Sequence, residues 1–281
     1  MTTASAVLVL GASGHLGGEV ARRALAAGHR VNATSTTGAP AAPAAPGITW
    51  HALDLRDRDA VTDLVERVRP DTVVNTAYRQ GDWAVTADGA AHAALAAAAT
   101  GARLVHVSSD AVFSGAAPAY PETALPDPVN PYGAAKAAAE TAIRALHPNA
   151  VIARTSLILG DGGSVHERRV HDLASGAAVG ALFTDDVRCP VHVGDLADAL
   201  LELAACDRTG VHHLAGPDAL SRHDLGVLIA RRDGLDPDRL PRGRRAVSGP
   251  PGPLDVRLDC TATRAVLRTR LRGAHAFLAP R

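Results

Sequence analysis

The sequence predicts an α/β fold built on a doubly wound parallel sheet. Residues 6–10 form a continuous apolar run of strand-forming residues, as expected for a strand that is buried on both faces. A glycine-rich turn follows at once and leads into a helical pattern over residues 19–27. Strand patterns then alternate with helical patterns as far as residue 156, which is typical of βαβ units and a parallel sheet.

The alternation places most predicted elements in the first 156 residues, in the order of a Rossmann-type sheet. The predicted strands are 6–10, 30–33, 48–52, 71–75, 103–107 and 151–154, and the longer helices end at 27, 69, 100 and 145. After residue 156 the alternation weakens. Residues 157–281 are therefore predicted to form a smaller C-terminal α/β lobe, with some segments packing back on the sheet. Its predicted pieces are helices at 165–174, 194–205 and 221–232, and strands near 182, 187 and 212–215.

The turn after the first strand carries three glycines at positions that suit a bound dinucleotide. Gly11 permits the tight turn, Gly14 lets the backbone approach a pyrophosphate, and Gly17 lets helix and strand pack closely. The first helical amides would hold the phosphates. A purely structural turn is the alternative, but the position between a first strand and a first helix favours nucleotide binding. The cofactor-binding residues predicted here are Gly11, Ser13, Gly14, His15, Leu16 and Gly17.

The end of the second strand indicates which dinucleotide is bound. Residues 34–37 are all Ser or Thr, and no acidic residue stands there to bind a ribose 2′-hydroxyl and repel a 2′-phosphate. This favours NADP, although no Arg is present to bind the phosphate and NAD remains the alternative. Ser35 is assigned to the cofactor. The alternative is that these hydroxyl groups only begin a loop. The Ala/Pro-rich stretch at 38–47 is predicted to be a flexible surface loop.

Other candidates follow the third and fourth strands, because ligands of such sheets bind at the carboxyl ends of the strands. Asp54 could hold the adenine amino group. Equally, Asp54 or Asp57 could cap the next helix. The cofactor-binding residues predicted at these strand ends are Asp54, Leu55, Thr76, Ala77 and Tyr78.

A tyrosine and a lysine four residues apart are the strongest candidates for chemistry. Among 29 Lys and Arg residues, Lys136 is the one lysine, which indicates a position that needs a compact ammonium rather than a planar guanidinium. Asn130 as N-cap, Pro131 and an Ala-rich run predict a helix on which Tyr132 and Lys136 share a face. The ammonium and the helix N-terminus both favour the phenolate, so Tyr132 becomes a proton donor or acceptor near neutral pH. A chance pair on a surface helix is the alternative.

Ser109 is the third catalytic candidate. It belongs to the Ser-Ser-Asp sequence at 108–110, which the fifth strand delivers to the same edge of the sheet. Its hydroxyl can donate a hydrogen bond to a carbonyl whose oxygen gains charge, or it can belong to an ordinary Ser/Asp-rich turn. The proline-rich stretch at 111–128 is predicted to be a loop that is too irregular for the core and borders a substrate cleft.

Composition excludes several classes of function. The formal net charge is zero, so no basic footprint argues for nucleic acid or an anionic membrane. No apolar run reaches about 18 residues, and no basic segment precedes the first apolar run, so we expect no membrane span and a cytoplasmic location. The cysteines Cys189, Cys206 and Cys260 are scattered and odd in number, which favours reduced thiols, and the dispersed histidines favour no metal site.

Taken together, these motifs resemble an extended short-chain dehydrogenase/reductase. The resemblance depends on Gly11, Gly14 and Gly17, on the motifs at 54–55, 75–77 and 108–110, and on Tyr132 with Lys136. Further segments are similar to the dTDP-4-dehydrorhamnose reductase branch of that superfamily, namely 107–115, 120–122, 126–136, 154–156, 189–191, 214–216 and 220–221. The resemblance implies an NAD(P)-binding domain at 1–156 and a substrate-binding lobe at 157–281.

The resemblance also implies an NAD(P)H-dependent reduction of a keto group, on a nucleotide-activated sugar or a related small metabolite. Tyr132 would protonate the carbonyl oxygen, Lys136 would hold the nicotinamide ribose and lower the tyrosine pKa, and Ser109 would polarise the carbonyl. Residues assigned to the substrate are Ser108, Asp110, Arg154, Leu157 and Arg188. The expected partner is a small molecule, and the expected assembly is a monomer or homodimer.

Three other functions stay open. An epimerase of the same superfamily would keep its cofactor bound through turnover. A dehydratase needs a further acid beside the Ser-Asp pair, and Ala111 at that place argues against elimination. A non-catalytic NAD(P)-binding regulatory subunit would be indicated by a broken site, whereas Ser109, Tyr132 and Lys136 are all present.

Overall fold

The structure is a computed structural model that describes residues 5–38 and 46–280. The strands are β1 Ala6–Leu10, β2 Arg30–Ser35, β3 Ile48–Ala52, β4 Thr72–Asn75, β5 Arg103–Ser109, β6 Val151–Thr155, β7 Ile158–Leu159, β8 Leu182–Phe183, β9 Val187–Arg188, β10 Val191–His192, β11 Gly210–Leu214, β12 Leu220–Ser221 and β13 Arg242–Gly243. The α-helices are α1 His15–Ala26, α2 Arg58–Val68, α3 Gly89–Thr100, α4 Pro131–Leu146, α5 Val165–Ser175, α6 Val193–Ala204, α7 Arg222–Arg232, α8 Arg245–Ser248, α9 Thr261–Arg264 and α10 Ala274–Phe277. Most of the predicted loop at 38–47, residues 39–45, lies outside the described residues.

The central sheet has seven strands in the order β11-β6-β5-β4-β1-β2-β3. β1 pairs in parallel with β2 on one side and with β4 on the other, and the pairs β2–β3 and β4–β5 are also parallel. The strand order therefore reverses between β1 and β4, where ligands of doubly wound sheets bind. All five residues of β1 are buried, as its apolar run predicts. The predicted Rossmann-type α/β fold is confirmed.

The chain divides into two compact units that each combine separate segments. The first unit comprises Met1–Ser108, Ala134–Ala153 and Ala197–His212, and the second comprises Ser109–Gly133, Arg154–Leu196 and His213–Arg281. Each unit has its own core of buried apolar residues. The assignment of 1–156 to the cofactor and 157–281 to the substrate stays a prediction.

Small residues allow the helices of the first unit to pack closely. Four alanines of α3 that are 0 to 1% exposed, Ala90, Ala93, Ala94 and Ala97, belong to the same core as Leu64 and Val65 of α2. A Cβ on Gly89 would lie 2.8 Å from the Cβ of Leu55. The alanine-rich composition of α3 therefore reflects packing, in agreement with the scarcity of aromatic residues in the sequence.

Two capped helices shape the second unit. The Ser164 hydroxyl accepts a hydrogen bond from the Glu167 amide, and the Glu167 carboxylate accepts one in return from the Ser164 amide, which forms a capping box at the start of α5. Glu167 is fully buried and pairs with Arg232 of α7 at 2.8 Å. At the start of α7, the hydroxyl of Ser221 accepts a hydrogen bond from the Asp224 amide, as the sequence predicts.

Several predicted elements were wrong in extent. β2 continues to Ser35 instead of ending at residue 33, and the predicted helix that ends at residue 100 begins as a π-helix, Ala84–Asp88, before α3. The stretch at 111–128 is not excluded from the core, because Phe113 is fully buried and stacks on the Tyr120 ring at 4.1 Å. In these places tertiary contacts overrode the local pattern.

Within residues 5–38 and 46–280, no helix is both long enough and apolar enough to cross a membrane.

We expect Gly17→Ala to destabilise the protein by about 1–3 kcal/mol, as overpacking typically does. A Cβ at Gly17 would lie 2.6 Å from the Thr76 Oγ1 atom, at the place where α1 approaches the strand ends. Urea denaturation would measure the change. Gly18→Ala is the matched control, since a Cβ there lies 3.3 Å from the nearest atom and alanine also favours the helix. Equal losses in the two variants would contradict the packing argument.

Candidate functional site

The glycine turn between β1 and α1 has the geometry that a pyrophosphate site requires. Gly11 has a φ of +77°, and a Cβ there would lie 2.7 Å from the Cα of Ala77. Ser13, Gly14 and His15 are exposed, and Gly14 begins α1 without any side-chain cap. The helix N-terminus therefore presents its amides at a surface that only glycines leave accessible, which fits a phosphate. The tight turn predicted at Gly11 and the close packing of helix and strand predicted at Gly17 are confirmed.

The segment after β4 supports this turn from the side. The Thr76 hydroxyl donates a hydrogen bond to the Leu10 carbonyl at 2.8 Å, and the Ala77 amide donates to the Asn75 side chain at 3.0 Å. Leu16 is buried beneath the turn. Thr76 and Ala77 therefore position the turn between β1 and α1, while Tyr78 is 56% exposed and available to a ligand.

The hydroxyl groups at the end of β2 divide into internal and exposed pairs. Thr34 and Ser35 are buried; Thr34 accepts a hydrogen bond from the Gly11 amide, and the Ser35 hydroxyl donates to the Gly38 carbonyl. Thr36 and Thr37 are exposed. The hydroxyls that can face a cofactor at this strand end are therefore those of Thr36 and Thr37 rather than that of Ser35. The sequence pattern missed this because β2 is two residues longer than predicted.

The two aspartates after β3 have separate roles. Asp57 caps α2, because its carboxylate accepts a hydrogen bond from the Ala60 amide at 3.0 Å. Asp54 is bound on both oxygens by the Arg56 guanidinium, which lowers the pKa of the Asp54 carboxyl to about 2. Asp54 is partly exposed and can still accept a donor from a ligand, whereas the Leu55 side chain is buried in the core.

Lys136 lies deep in the first unit. Its side chain is fully enclosed, its Nζ atom donates a hydrogen bond to the Val107 carbonyl at 2.8 Å, and the Tyr78 ring centroid is 5.5 Å away. Burial lowers the pKa of the Lys136 ammonium to about 8, against the opposing effect of the Glu140 carboxylate. A lysine with a pKa near 8 is poised to change charge close to neutral pH.

The sequence assigns Ser108 to the substrate, whereas in the structure its side chain is buried against Glu140. It is 2% exposed, and its hydroxyl donates a hydrogen bond to the Oε1 atom of Glu140 at 2.6 Å. Adjacent residues of a strand point to opposite faces, so Ser108 and Ser109 diverge at the end of β5. We therefore interpret Ser108 as an internal partner of Glu140.

Tyr132 and Ser109 belong to the same part of the second unit. The Asn130 side chain caps α4 by accepting a hydrogen bond from the Gly133 amide at 2.8 Å, as predicted. A Cβ on Gly133 would overlap the carbonyl of Ala111, so the first turn of α4 lies directly on that backbone. The Ser109 hydroxyl accepts a hydrogen bond from the Ala111 amide at 3.1 Å. Both Tyr132 and Ser109 are partly exposed. On α4, Lys136 follows Tyr132 by four residues, which is one helical turn.

The remaining residues assigned to the substrate are buried and engaged with the protein. Asp110 accepts a hydrogen bond from Ser156 at 2.7 Å, and the Arg188 Nε atom lies 3.6 Å from the same carboxylate oxygen. Arg188 also donates to the carbonyls of the 253–254 segment. Arg154 is fully buried, donates to the Ala124 carbonyl and lies 4.9 Å from the Phe113 ring. Leu157 belongs to the core of the second unit. We interpret these four residues as structural supports.

A cavity within the second unit was missed by sequence reasoning. It has a volume of about 230 Å³. Its wall combines apolar residues with cationic ones, among them Val170, Leu182, Phe183, Leu225, Arg169 and Arg222. The one carboxylate in the wall, Asp186, is paired with Arg188 and Arg245 and, at 3.4 Å, with Arg222 of the wall itself. Such a wall suits a ligand that combines a flat ring with a negative charge. The only signal in the sequence was an excess of arginine in the second half of the chain.

The described residues contain no group of three or more His, Cys, Asp or Glu side chains that could hold a metal ion. The thiols of Cys189 and Cys260 are buried, and burial raises the pKa of Cys189 to about 11 and that of Cys260 in the same direction. Both thiols therefore stay protonated at neutral pH and are unsuited to nucleophilic or metal chemistry.

Known proteins resemble this chain over most of its length. The RmlD substrate binding domain family matches this chain over residues 5–274. The dTDP-4-dehydrorhamnose reductase of Mycolicibacterium smegmatis is 32% identical over 251 residues, covering 84% of this chain and 72% of the relative. Methionine adenosyltransferase 2 subunit beta of Xenopus laevis is 27% identical, covering 90% of this chain and 80% of the relative.

The fold also matches solved structures. A crystal structure of dTDP-4-dehydrorhamnose reductase from Bacillus anthracis in complex with NADP superposes with a TM-score of 0.84 at 21% identity, covering 98% of this chain and 97% of that one. The resemblance read from the glycine turn, the Ser-Ser-Asp sequence and the Tyr–Lys pair is confirmed. The chain belongs to the RmlD substrate binding domain family.

Proposed function

We propose that the chain is an NAD(P)H-dependent reductase of a keto group, carried by a nucleotide-activated sugar or a related small metabolite. The observation that carries the proposal is an enclosed ammonium at Lys136, held by the Val107 carbonyl, on the same helix as Tyr132 and four residues after it. The similarity to dTDP-4-dehydrorhamnose reductase over most of the chain supports the same reaction.

The cofactor would be held by the backbone of the turn between β1 and α1 and by the segment after β4. Gly11, Gly14 and the first amides of α1 would bind the pyrophosphate, and Tyr78 and Lys136 would border the nicotinamide ribose. When bound, the reduced nicotinamide supplies a hydride. The exposed hydroxyls of Thr36 and Thr37, without a carboxylate beside them, support NADP as the preferred cofactor over NAD.

The side chains of the protein supply the proton for the carbonyl oxygen and the positive charge that stabilises the phenolate. The Tyr132 phenol donates its proton to the carbonyl oxygen as that oxygen gains negative charge. The Lys136 ammonium, together with the N-terminus of α4, stabilises the phenolate left behind. The Ser109 hydroxyl accepts from the Ala111 amide and donates to the Asp110 carboxylate at 3.3 Å; with substrate bound it would donate to the carbonyl oxygen instead.

The cavity of the second unit supports a substrate that carries a nucleotide. A flat base fits its apolar wall of Leu182 and Phe183, and Arg169 and Arg222 would compensate negative charge. We assign the nucleotide part of the substrate to this cavity rather than to Arg154 or Arg188. Residues 1–156 as the cofactor domain, a cytoplasmic location, and a monomer or homodimer stay predictions.

A non-catalytic regulatory subunit is the second candidate, favoured by the similarity to methionine adenosyltransferase 2 subunit beta. This candidate keeps the cofactor turn but makes no use of Tyr132. It predicts NADPH binding without NADPH oxidation for any ketone, so the same assay separates the two functions.

We expect Tyr132→Phe to lower kcat by about 10²–10⁴-fold while the NADPH dissociation constant stays near the wild-type value, since the phenol moves a proton and does not hold the cofactor. Stopped-flow or steady-state NADPH oxidation with a panel of nucleotide-sugar ketones measures the rate. Tyr120→Phe is the matched control, because it removes a buried phenol of the same unit whose hydroxyl is bound by Ser114 and the Ala117 amide. Wild-type turnover in Tyr132→Phe would reject the role.

We expect kcat/KM to fall as pH rises through about 8. Burial lowers the pKa of the Lys136 ammonium to about 8, and activity requires the charged form, so activity is present below that pH and is lost above it. The pH profile of kcat/KM in the free enzyme checks this. A profile that rises steadily across that range would show that the lysine charge does not support the reaction.

We expect Thr36→Asp to reverse the cofactor preference. A carboxylate at this exposed end of β2 would repel a 2′-phosphate and accept a ribose hydroxyl. The ratio of kcat/KM for NADPH to that for NADH should fall at least about tenfold, which corresponds to about 1.4 kcal/mol. Thr36→Asn is the neutral control of equal size. An unchanged ratio in Thr36→Asp, or NADH preference in the wild type, would contradict the proposed NADP site.

A further inference from the structure

Glu140 is a carboxylate in a place where an unpaired charge would be strongly unfavourable. It is fully buried on α4, one helical turn after Lys136. Its Oε1 atom accepts a hydrogen bond from the Ser108 hydroxyl at 2.6 Å, and its Oε2 atom lies 3.3 Å from the Arg144 guanidinium. Both contacts are donors, so this environment accommodates the ionised carboxylate.

The groups that face Lys136 leave Glu140 as its compensating charge. From β5 come the Val107 carbonyl and the His106 ring, and from the segment after β4 comes the Tyr78 ring. His106 is buried, and neither ring nitrogen has a hydrogen-bond partner among the described residues. Burial, and secondarily the Lys136 ammonium, lowers the pKa of His106 well below its usual value, so the imidazole is neutral. Glu140 is the carboxylate in this set, and it acts to raise the pKa of Lys136.

Ser108 can act on Lys136 only through Glu140. Its hydroxyl donates to the carboxylate across the space between β5 and α4, while Lys136 itself donates to the carbonyl of the neighbouring residue, Val107. The two serines at the end of β5 therefore have separate roles, because strand geometry directs Ser109 to the opposite face from Ser108.

We propose that Glu140, fixed by the Ser108 hydroxyl, is a positioning residue that keeps Lys136 charged and in place one helical turn after Tyr132. This inference deepens the proposed function and rests on it, since the charge of Lys136 matters to catalysis only if Tyr132 is the proton donor. In it, Ser108 and Glu140 form a buried pair that touches neither substrate nor cofactor and acts through the ammonium.

The sequence offers a direct test, because Lys136 is the one lysine of the chain. Protein labelled with [¹³Cε]lysine and free of any lysine-containing tag gives one lysine signal, whose pH titration reports the charge of Lys136 without substrate or cofactor. For the wild type we expect a midpoint near 8. In Glu140→Gln the midpoint should fall by about one pH unit or more, the size typical of losing a neighbouring opposite charge. Ser108→Ala should shift it in the same direction by less, and Glu140→Asp should keep it nearer the wild-type value.

Glu167→Gln is the matched control, because Glu167 is an equally buried carboxylate that also accepts from a serine and pairs with an arginine, in the other unit. It should leave the lysine midpoint unchanged even where it lowers stability. If Glu140→Gln does not fold, Ser108→Ala decides the question. A midpoint that stays at the wild-type value in the folded variants would overturn the inference.

The titration also separates this inference from the proposed function. Absence of NADPH oxidation in the wild type would count against the reductase, whereas an unmoved midpoint in an active enzyme would overturn the role of Glu140 alone. In an active enzyme we further expect the alkaline fall of kcat/KM to move to lower pH in Glu140→Gln together with the lysine midpoint. A merely structural role for Glu140 would lower activity without moving that limb.

Discussion

The interaction on which the site depends is the enclosure of one ammonium. A charged amine removed from water is unfavourable unless hydrogen bonds and an opposite charge compensate for the lost hydration. Lys136 has such compensation from the Val107 carbonyl, from Glu140 and from the face of the Tyr78 ring. This compensation is incomplete, so burial lowers the pKa of the Lys136 ammonium to about 8. Packing alone does not account for this ammonium, since a methionine of similar volume would fill the space with no buried charge.

The second constraint is the close approach of backbones, which determines where side chains are forbidden. Gly11 and Gly17 bring the start of α1 against the ends of β1 and β4, and Gly133 brings the start of α4 against residue 111. Gly17 and Gly133 lie in the first turn of a helix, and Gly11 lies in the turn that leads to α1, so all three are near helix N-termini, where amides and the helix dipole act on whatever binds there. The same device thus leaves the first amides of α1 accessible and places Tyr132 in the first turn of α4.

Sequence reasoning succeeded where the determinant is local. The apolar run of β1, the close packing at the glycines and the Asn130 cap are each legible within a few residues, and the structure agrees with these three. It failed where the determinant is a distant partner. Nothing near Ser35 indicates that its hydroxyl turns back to Gly38, and nothing near Phe113 indicates that a proline-rich segment stacks Tyr120 on it in the core.

The assignment of Arg154 and Arg188 to the substrate stays a prediction, and both guanidinium groups are bound to backbone carbonyls of the protein. A guanidinium presents five donors in a planar fork, so a buried arginine can satisfy itself on several backbone carbonyls at once. Arg188 does so on the 253–254 segment, and Arg232 does so on Gly160 together with the Glu167 carboxylate. An ammonium is smaller and leaves room beside it. In a chain with one lysine among its Lys and Arg residues, the guanidinium groups join segments of the fold, and in the proposed function the one ammonium lies where a ligand must come close.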